Sequence, residues 1–313
     1  MTRCDGVTVH APAKINVGLA VGAVRSDGFH ELTSVFLAVS LYDEVTATPA
    51  RALTVTCEGP DADKVPLDQT NLAAHAAELL ATLHNLPPNV HLHIAKNIPV
   101  AGGMAGGSAN AAAALLACDA LWRLGTPRED LLTICADLGS DVPFSLIGGA
   151  ALGTGRGEKL TELPIAGAFH WVLAIAHEGL STPVVFREFD RLAQGTRMPP
   201  PTIPQTLTHA LAAGDATTLA SALRNDLQPA ALSLRPSLAA TLAVGTEAGA
   251  LAALVSGSGP TIAFLVTDAK AAAVIAAALT TSGTCRTARV VTAPAQGASV
   301  LPTPLGQGLG TAL

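Results

Sequence analysis

Hydrophobic and polar residues alternate in several short stretches of the chain, and a period of two is typical of β-strands. The stretch VTVHAPAKINVGLAV (7–21) predicts a pair of strands interrupted near Pro12. Further strands are predicted after the Asp-Gly turn in RSDGFHEL, in ALTVTCEG (52–59), in NVHLHIAKNIP (89–99), in WVLAIAHEG (171–179) and in RTARVVTAP (286–294). β-structure is therefore expected in both halves of the chain.

Other stretches carry apolar residues at helical spacing. The stretch TNLAAHAAELLATLHN (70–85) begins with a helix-cap candidate at Thr70 or Asn71, and an alanine-rich run favours a helix from Asn110 on. Helices are also predicted over 127–138, 183–192, 215–223 and 269–281, and the stretch 236–266 predicts a helix, a strand, a glycine turn and a strand. Because strands and helices mix without a strict βαβ repeat, the pattern favours an α+β fold.

The composition narrows the class of protein. The chain has 313 residues, of which 49% are hydrophobic and 13% are charged, so it can bury a large core. A net charge of −6 argues against a nucleic-acid partner. The sequence has neither a signal-peptide pattern at its start nor an apolar run near the roughly 20 residues of a membrane span. Five scattered cysteines without a C-x-x-C pair indicate reduced thiols, so we expect a cytoplasmic protein.

One stretch combines glycines with an abrupt helix, PVAGGMAGGSANAAAALLACDALW (99–122). Backbone amides at a helix N-terminus form an anion site, so the loop is a candidate phosphate cradle. It is not a Walker A element, because Ala109 and Asn110 follow Ser108 where lysine would be needed. A dinucleotide fingerprint also fits poorly, since the required acidic residue is absent. Taken alone, the loop is also compatible with a tight strand-to-helix turn.

Two further sequence blocks strengthen the interpretation of this loop as a phosphate site. APAKINVGL (11–19) precedes it and VSGSGPTIAFLV (255–266) follows it, and in this order and spacing the three blocks resemble the GHMP kinase superfamily over essentially the whole chain. The resemblance implies a two-lobed α+β fold with the active site in the cleft between the lobes and ATP at the glycine loop. It implies an N-terminal domain over 1–155, a C-terminal domain over 156–297 and a mobile tail over 298–313.

The segment RSDGFHEL (25–32) distinguishes branches of that superfamily. It is similar to an R-x-D-G-[Y/F]-H stretch of a branch that acts in the non-mevalonate isoprenoid pathway, and GGMAGGSAN and LGSDVPFSL are similar to the same branch. The resemblance implies ATP-dependent phosphorylation of a cytidyl diphosphate sugar alcohol. It assigns Phe29 to stacking on the cytosine and His30 to the polar edge of that base, although a lone histidine is more often a packed residue.

The resemblance also assigns the catalytic groups. Asp141 would be the base that takes the proton of the acceptor hydroxyl, and Lys14 would orient it and stabilise developing charge. The alternative for Asp141 is a helix cap or turn residue, and for Lys14 a side chain that reaches solvent from a strand edge. Asn16 would hydrogen-bond the substrate. Thr182 would lie near the acceptor, or else cap a helix before Pro183.

For the nucleotide, the matching positions are Pro99, Gly102, Gly103, Gly106, Gly107, Ser108 and Asn110, with Asn71 and Lys96 near the adenine. Alanines stand at 101, 105 and 109, where glycine or serine is usual, which removes one hydroxyl from the loop. Mg²⁺ is expected with the nucleotide, because the sequence offers no carboxylate cluster that would form a protein cage.

Two alternatives remain at this point. The chain fits another small-molecule kinase of the superfamily, such as a homoserine kinase, if Phe29 and His30 lie away from the acceptor pocket or if cytidine nucleotides do not bind. It also fits a non-catalytic nucleotide-binding protein on the same scaffold, because a fold alone does not establish activity. As partners we expect small molecules only, with no nucleic acid and no membrane, and the chain as a monomer or homodimer.

Overall fold

The computed structural model of the chain describes residues 6–196 and 198–302, and its strands form two sheets. The eight-stranded sheet has the order β12-β1-β2-β4-β3, with β5 on β2, β6 on β5 and β8 on β1, and the four-stranded sheet has the order β11-β7-β10-β9. The strands are β1 (Val7–Val24), β2 (His30–Pro49), β3 (Thr54–Glu58), β4 (Val90–Ala95), β5 (Ala150–Gly155), β6 (Lys159–Glu162), β7 (Phe169–Ile175), β8 (Arg224–Asn225), β9 (Ala252–Val255), β10 (Ile262–Val266), β11 (Thr287–Ala293) and β12 (Ser299–Val300).

Strand β1 is continuous where the sequence pattern predicts two strands interrupted near Pro12. The pairing with β2 shifts register between Pro12 and Ala13 and then continues. Proline lacks the N–H that a ladder hydrogen bond needs, so a local irregularity is expected there. The chain nevertheless stays extended, because the residues on either side are buried in the middle of the sheet.

Ten helices are described: α1 (Leu72–Leu83), α2 (Gly106–Trp122), α3 (Arg128–Leu138), α4 (Val142–Ile147), α5 (Thr182–Leu192), α6 (Gln205–Ala213), α7 (Ala216–Ala222), α8 (Gln228–Leu234), α9 (Ser237–Glu247) and α10 (Ala269–Ser282). Helix α2 is central, since it packs on α1, α3, α4, β1 and β2. It begins four residues before Asn110, inside the glycine loop. None of the described helices is long and apolar enough to cross a membrane.

The eight-stranded sheet contains strands from distant parts of the chain. Strands β6, β8 and β12 all follow residue 155, yet they pair within the sheet that β1 and β2 begin. This topology does not test the domain boundary that the sequence predicts at residue 155, which therefore stays a prediction. At the start of the segment 298–313, Ser299 pairs with His10 and Val300 pairs with Val9, and the mobility of this segment stays a prediction. Residues 303–313 lie outside the described residues.

An ion pair ties the two sheets together beside the loop that follows β3. Arg286, which precedes β11, donates from both terminal nitrogens to the carboxylate of Asp61, at 2.6 and 2.8 Å. Lys64 donates to the same carboxylate at 2.8 Å. The hydrogen bonds from Arg286, and to a smaller extent that from Lys64, hold the pKa of Asp61 well below its usual range. A carboxylate whose pKa is lowered by folding stabilises the folded state wherever it is ionised.

We therefore expect the unfolding free energy to depend on Asp61 in acid. Its contribution is complete above about pH 5, roughly one unit above the unfolded pKa of about 3.9, and is lost as the pH falls towards the lower folded pKa. Asp61→Asn should lower stability at pH 7 and flatten this acid loss, as measured by denaturant unfolding from pH 7 to pH 2. Asp63→Asn, an exposed neighbour, is the matched control. An unchanged acid slope in Asp61→Asn would contradict the assignment.

Candidate active site

A cleft of about 940 Å³ is lined by residues from both halves of the chain. This volume lies within the range of small-molecule sites. All the residues that the sequence predicts for a site line this cleft: Lys14, Asn16, Phe29, His30, Asn71, Lys96, Pro99, Gly102, Gly103, Gly106, Gly107, Ser108, Asn110, Asp141 and Thr182. The fold thus gathers segments that are separated by up to 168 residues into one cavity.

The cleft is electropositive although the chain is acidic. Five cationic side chains line it, Lys14, Lys64, Lys96, Arg156 and Arg187, against the two carboxylates of Asp141 and Asp190. Two of these cations also pair with carboxylates outside the lining, Lys64 with Asp61 and Lys96 with Asp43. The net charge of the whole chain is −6. Clustered positive charge in a cavity attracts anionic ligands and concentrates them there. The cavity therefore suits a ligand that carries phosphate groups.

Lys14 and Asp141 contact each other in the cleft. Lys14 lies in the middle of β1 and is 6% exposed, so it does not extend to solvent. Its Nζ lies 3.6 Å from Oδ2 of Asp141 and donates to Oδ1 of Asn16 at 2.8 Å. Asp141 immediately precedes α4, but its side chain does not cap that helix. The carboxylate is one-third exposed, which leaves it accessible to a ligand.

Asn16 and Ser256 link this pair to the glycine loop. The side-chain nitrogen of Asn16 donates to Ser34 Oγ at 2.7 Å, and its backbone N–H donates to Ser256 Oγ at 3.4 Å. Ser256 in turn donates to the carbonyl oxygen of Gly103 at 3.1 Å. The turn after β9 therefore holds β1 and the glycine loop in fixed relation.

At two positions of the glycine loop, neighbouring atoms lie too close to the backbone to leave room for a side chain. Gly103 has φ = +76°, and a Cβ there would lie 2.4 Å from the carbonyl oxygen of Ser256. A Cβ on Gly106 would lie 2.6 Å from Nζ of Lys96. No side chain caps the first turn of α2, so its amides are available to an anion. Ala101 and Ala105 adopt left-handed φ values of 52° and 57°, a conformation that glycine adopts at lower cost.

We expect the glycines of the loop to differ sharply in how well they tolerate substitution by alanine. Gly103→Ala should destabilise the fold by about 3 kcal/mol, because both the positive φ and the contact with Ser256 oppose a Cβ. Gly107→Ala should not lower stability, since the nearest atom to a Cβ there is Leu72 Cδ1 at 3.6 Å. It should instead raise the KM for ATP if phosphate approaches this amide. Chemical unfolding and steady-state kinetics of both variants check this, and equal stabilities would contradict it.

A buried ion pair lies beneath the loop. Lys96 is 2% exposed and its ammonium donates to the carboxylate of Asp43, which is fully buried. Asp43 also accepts from Asn110 Nδ2 at 2.8 Å and from the backbone N–H groups of Asn97 and Ile98 at 2.6 and 2.7 Å. Asp43 fixes the end of β4 against the first turns of α2. The sequence analysis missed it, because an aspartate in the β-prone run SLYDEV carries no local sign of a partner 53 residues away.

The Asp43–Lys96 pair should show strong thermodynamic coupling. Asp43→Asn and Lys96→Met should each cost about 3–5 kcal/mol, because each leaves an uncompensated charge or donor buried. The double variant should cost well under the sum of the two, and a double-mutant cycle by denaturant unfolding measures the difference. Strict additivity would show that the two side chains do not act as a pair.

The other end of the cleft is aromatic. His30 stacks on Phe186 with ring centroids 5.2 Å apart, and its Nε2 lies 3.1 Å from Oδ1 of Asp190. Phe29 is 53% exposed, and the guanidinium of Arg156 lies 5.0 Å from its ring centroid. This end therefore presents aromatic surface with polar groups at its edge. Phe186 and Asp190 were not predicted, although both lie on α5, whose start at Thr182 was singled out.

Two of the predicted residues also have structural roles. Asn71 is the N-cap of α1, where its Oδ1 accepts from the N–H of Ala73 at 2.8 Å and its Nδ2 donates to the carbonyl oxygen of Pro66 at 2.6 Å. Thr182 is the first residue of α5 rather than its cap, which is Ser181, and its hydroxyl lies 2.9 Å from Ser258 Oγ. The roles of both residues towards a ligand stay predictions.

Comparison with known families places this site in a class. Residues 71–149 match the GHMP kinases N terminal domain, and residues 207–284 match the GHMP kinases C terminal domain. The first match contains the glycine loop and Asp141, and the second contains the turn at Ser256. The α+β fold is that of a GHMP kinase, as the sequence blocks predict.

Individual relatives narrow the class. A curated 4-diphosphocytidyl-2-C-methyl-D-erythritol kinase from Streptomyces avermitilis is 68% identical over 295 residues, which cover 94% of this chain and 99% of the relative. A crystal structure of 4-(cytidine 5'-diphospho)-2C-methyl-D-erythritol kinase matches with a TM-score of 0.75 at 31% identity, covering 92% of this chain and 99% of that one. The chain belongs to the family of 4-diphosphocytidyl-2-C-methyl-D-erythritol kinases. A homoserine kinase from Cytophaga hutchinsonii, with a TM-score of 0.73 at 21% identity over 95% of this chain and 98% of that one, shares the fold alone.

Proposed function

We propose that this chain transfers the γ-phosphoryl group of ATP to the 2-hydroxyl group of 4-diphosphocytidyl-2-C-methyl-D-erythritol, a step of the non-mevalonate isoprenoid pathway. The observation that carries the proposal is the Lys14–Asp141 pair, 3.6 Å apart in an electropositive cleft beside the uncapped start of α2. The acceptor is inferred from the relatives, which are 4-diphosphocytidyl-2-C-methyl-D-erythritol kinases.

Phosphoryl transfer needs a base on the acceptor and positive charge on the migrating group. Asp141 takes the proton of the acceptor hydroxyl, since it is the carboxylate that lies beside Lys14 in the cleft. The ammonium of Lys14 orients this carboxylate and stabilises negative charge that develops on the transferred group. Asn16 fixes the direction of the Lys14 side chain through the 2.8 Å hydrogen bond to its Oδ1.

The glycine loop serves the other reactant. Amides of residues 106–108, at the positive end of the α2 dipole, bind the phosphates of ATP. The described residues hold no group of three or more histidine, cysteine, aspartate or glutamate side chains arranged for a metal ion. Mg²⁺ would be held mainly by the nucleotide phosphates, and Ser108 and Asp141 are the oxygen-bearing side chains lining the cleft that could reach it. When bound, the ion neutralises the phosphate oxygens.

The aromatic end accommodates the cytidyl part of the acceptor. Phe29 and Phe186 both line the cleft, and an aromatic ring stacks on a nucleobase with a gain of about 1–3 kcal/mol. Arg156 and Arg187 line the same cavity and offer donors to the diphosphate.

The test is ADP release in a coupled assay with Mg-ATP and four acceptors in parallel: 4-diphosphocytidyl-2-C-methyl-D-erythritol, homoserine, mevalonate and galactose. We expect turnover with the cytidyl alcohol alone. Turnover with another acceptor would keep the kinase and overturn the proposed acceptor. No turnover with any of the four, from a folded chain that binds ATP, would favour a non-catalytic nucleotide-binding protein.

The same assay tests the base. Asp141→Asn should lower kcat by roughly 10²–10⁴-fold, because proton transfer by a positioned group contributes this much. Its affinity for ATP should stay close to that of the unchanged chain. Asp137→Asn, which removes an exposed charge from α3, is the matched control. Near-normal turnover by Asp141→Asn would refute the assignment.

A further inference from the structure

The ammonium group of Lys14 has a third neighbour, the aromatic ring of Phe36. Its Nζ lies over the face of this ring, 5.3 Å from the centroid. Phe36 is on β2, diagonally across from Lys14, since its register partner on β1 is Asn16. Both side chains are buried. A cation within about 6 Å of an aromatic centroid is attracted by the negative face of the ring, and the attraction is stronger away from water.

The ring of Phe36 has little freedom to leave this position. A Cβ on Gly153 of β5 would lie 2.4 Å from its Cε2, and a Cβ on Gly157 would lie 3.3 Å from its Cζ. The ring of Phe144 packs against it in a tilted arrangement, with centroids 5.3 Å apart. Phe144 belongs to α4, the helix that Asp141 precedes. The ring is therefore confined between the backbone of β5 with the turn that follows and the helix beside Asp141.

An uncharged partner suits an ammonium group that has to act on an anion. Asn16 Oδ1 accepts from Nζ of Lys14 at 2.8 Å, whereas Oδ2 of Asp141 lies 3.6 Å away. A second carboxylate in the place of the ring would hold the ammonium more firmly, but its negative charge would repel a phosphoryl group. The ring of Phe36 attracts the ammonium and adds no net charge. The positive charge of Lys14 thus stays available to an anionic ligand.

We propose that Phe36 is a positioning residue for phosphoryl transfer and that it acts through Lys14, whose ammonium the face of its ring holds beside Asp141. This inference rests on the proposed function, because it takes the phosphoryl group as the anion that Lys14 stabilises. Small displacements of a charged group reduce the stabilisation that it gives to a transition state. A lower kcat with little change in KM is therefore the expected signature of losing the ring.

The first experiment compares two variants that each lose one buried phenyl ring. Phe36→Leu should lower kcat by roughly 3- to 30-fold, the range that cation–π contacts span, and leave the KM for ATP within about threefold. Phe264→Leu is the matched control, because Phe264 is fully buried on β10 of the other sheet. It should lose comparable stability and keep its kcat. An unchanged kcat in Phe36→Leu, or an equal fall in Phe264→Leu, would overturn the inference.

A second series keeps the shape of the ring and changes its charge. Fluorine withdraws electron density from the ring face, which weakens its attraction for a cation. We expect 4-fluorophenylalanine and then 3,4-difluorophenylalanine at position 36 to lower kcat stepwise, with an unchanged thermal unfolding midpoint. The second fluorine can occupy the ring edge away from Gly153. Because a ring that only fills space would not respond to its charge, a kcat that is independent of fluorine content would overturn the inference.

The contact also has a readout that needs no turnover. The chain contains five lysines, so ¹³C-lysine labelling gives few ε-methylene signals, and Lys14→Met identifies that of Lys14 by removing it. The ring current of Phe36 should displace this signal upfield, and Phe36→Leu should return it towards that of the exposed Lys270. A signal that does not move would overturn the inference. Absence of ADP release from the unchanged chain would instead overturn the proposed function, while this signal still decides whether the ring holds Lys14.

Discussion

The site depends on one charge that is buried in the middle of an apolar strand. An ammonium group at the position of Lys14 is costly unless it has anionic and hydrogen-bonding partners. Asn16, on the same face of β1 two residues on, supplies one partner, and Asp141 supplies the other. Because Asp141 stands at the start of α4, the need of Lys14 for a partner fixes that helix end against β1. The lysine that needs compensation is thereby paired with the carboxylate that carries the proposed chemistry.

Around this pair the packing has little freedom. The turn after β9 reaches the backbone of the glycine loop through Ser256, and the gap is too narrow for a Cβ on Gly103. On the opposite side, Lys96 lies directly against Gly106, held there by Asp43. The loop is thus confined between two groups that come from different sheets. Such confinement prevents the loop from collapsing onto itself and keeps the amides of α2 directed into the cleft.

The two ends of the cleft differ in their chemical groups. Backbone amides and lysines dominate the end at α2, where phosphate is expected. Aromatic rings with one carboxylate dominate the end at α5, where a base is expected. In the proposed reaction a hydroxyl and a phosphoryl group meet at Asp141, beside Lys14. This division lets one cavity orient two different ligands.

The sequence alone determined the features that local chemistry controls. Glycines followed by a strong helix former predict an anion site at a helix start, and the three ordered blocks around Lys14, Gly103 and Ser256 identify the family. The strands and most long helices follow from periodicity, whereas short elements such as α4, α8 and β12 escape it because they contain too few residues to show a period.

Only the tertiary structure decided which distant groups meet. Asp43 and Lys96 are separated by 53 residues, and nothing local in either segment indicates that both will be buried and paired. The same holds for His30, which the sequence assigns to a base and the fold directs towards Gly22 and Asp190. The reason is physical: a side chain satisfies its hydrogen bonds with whatever the fold brings within about 3 Å, and that set is fixed by packing rather than by neighbours in the chain.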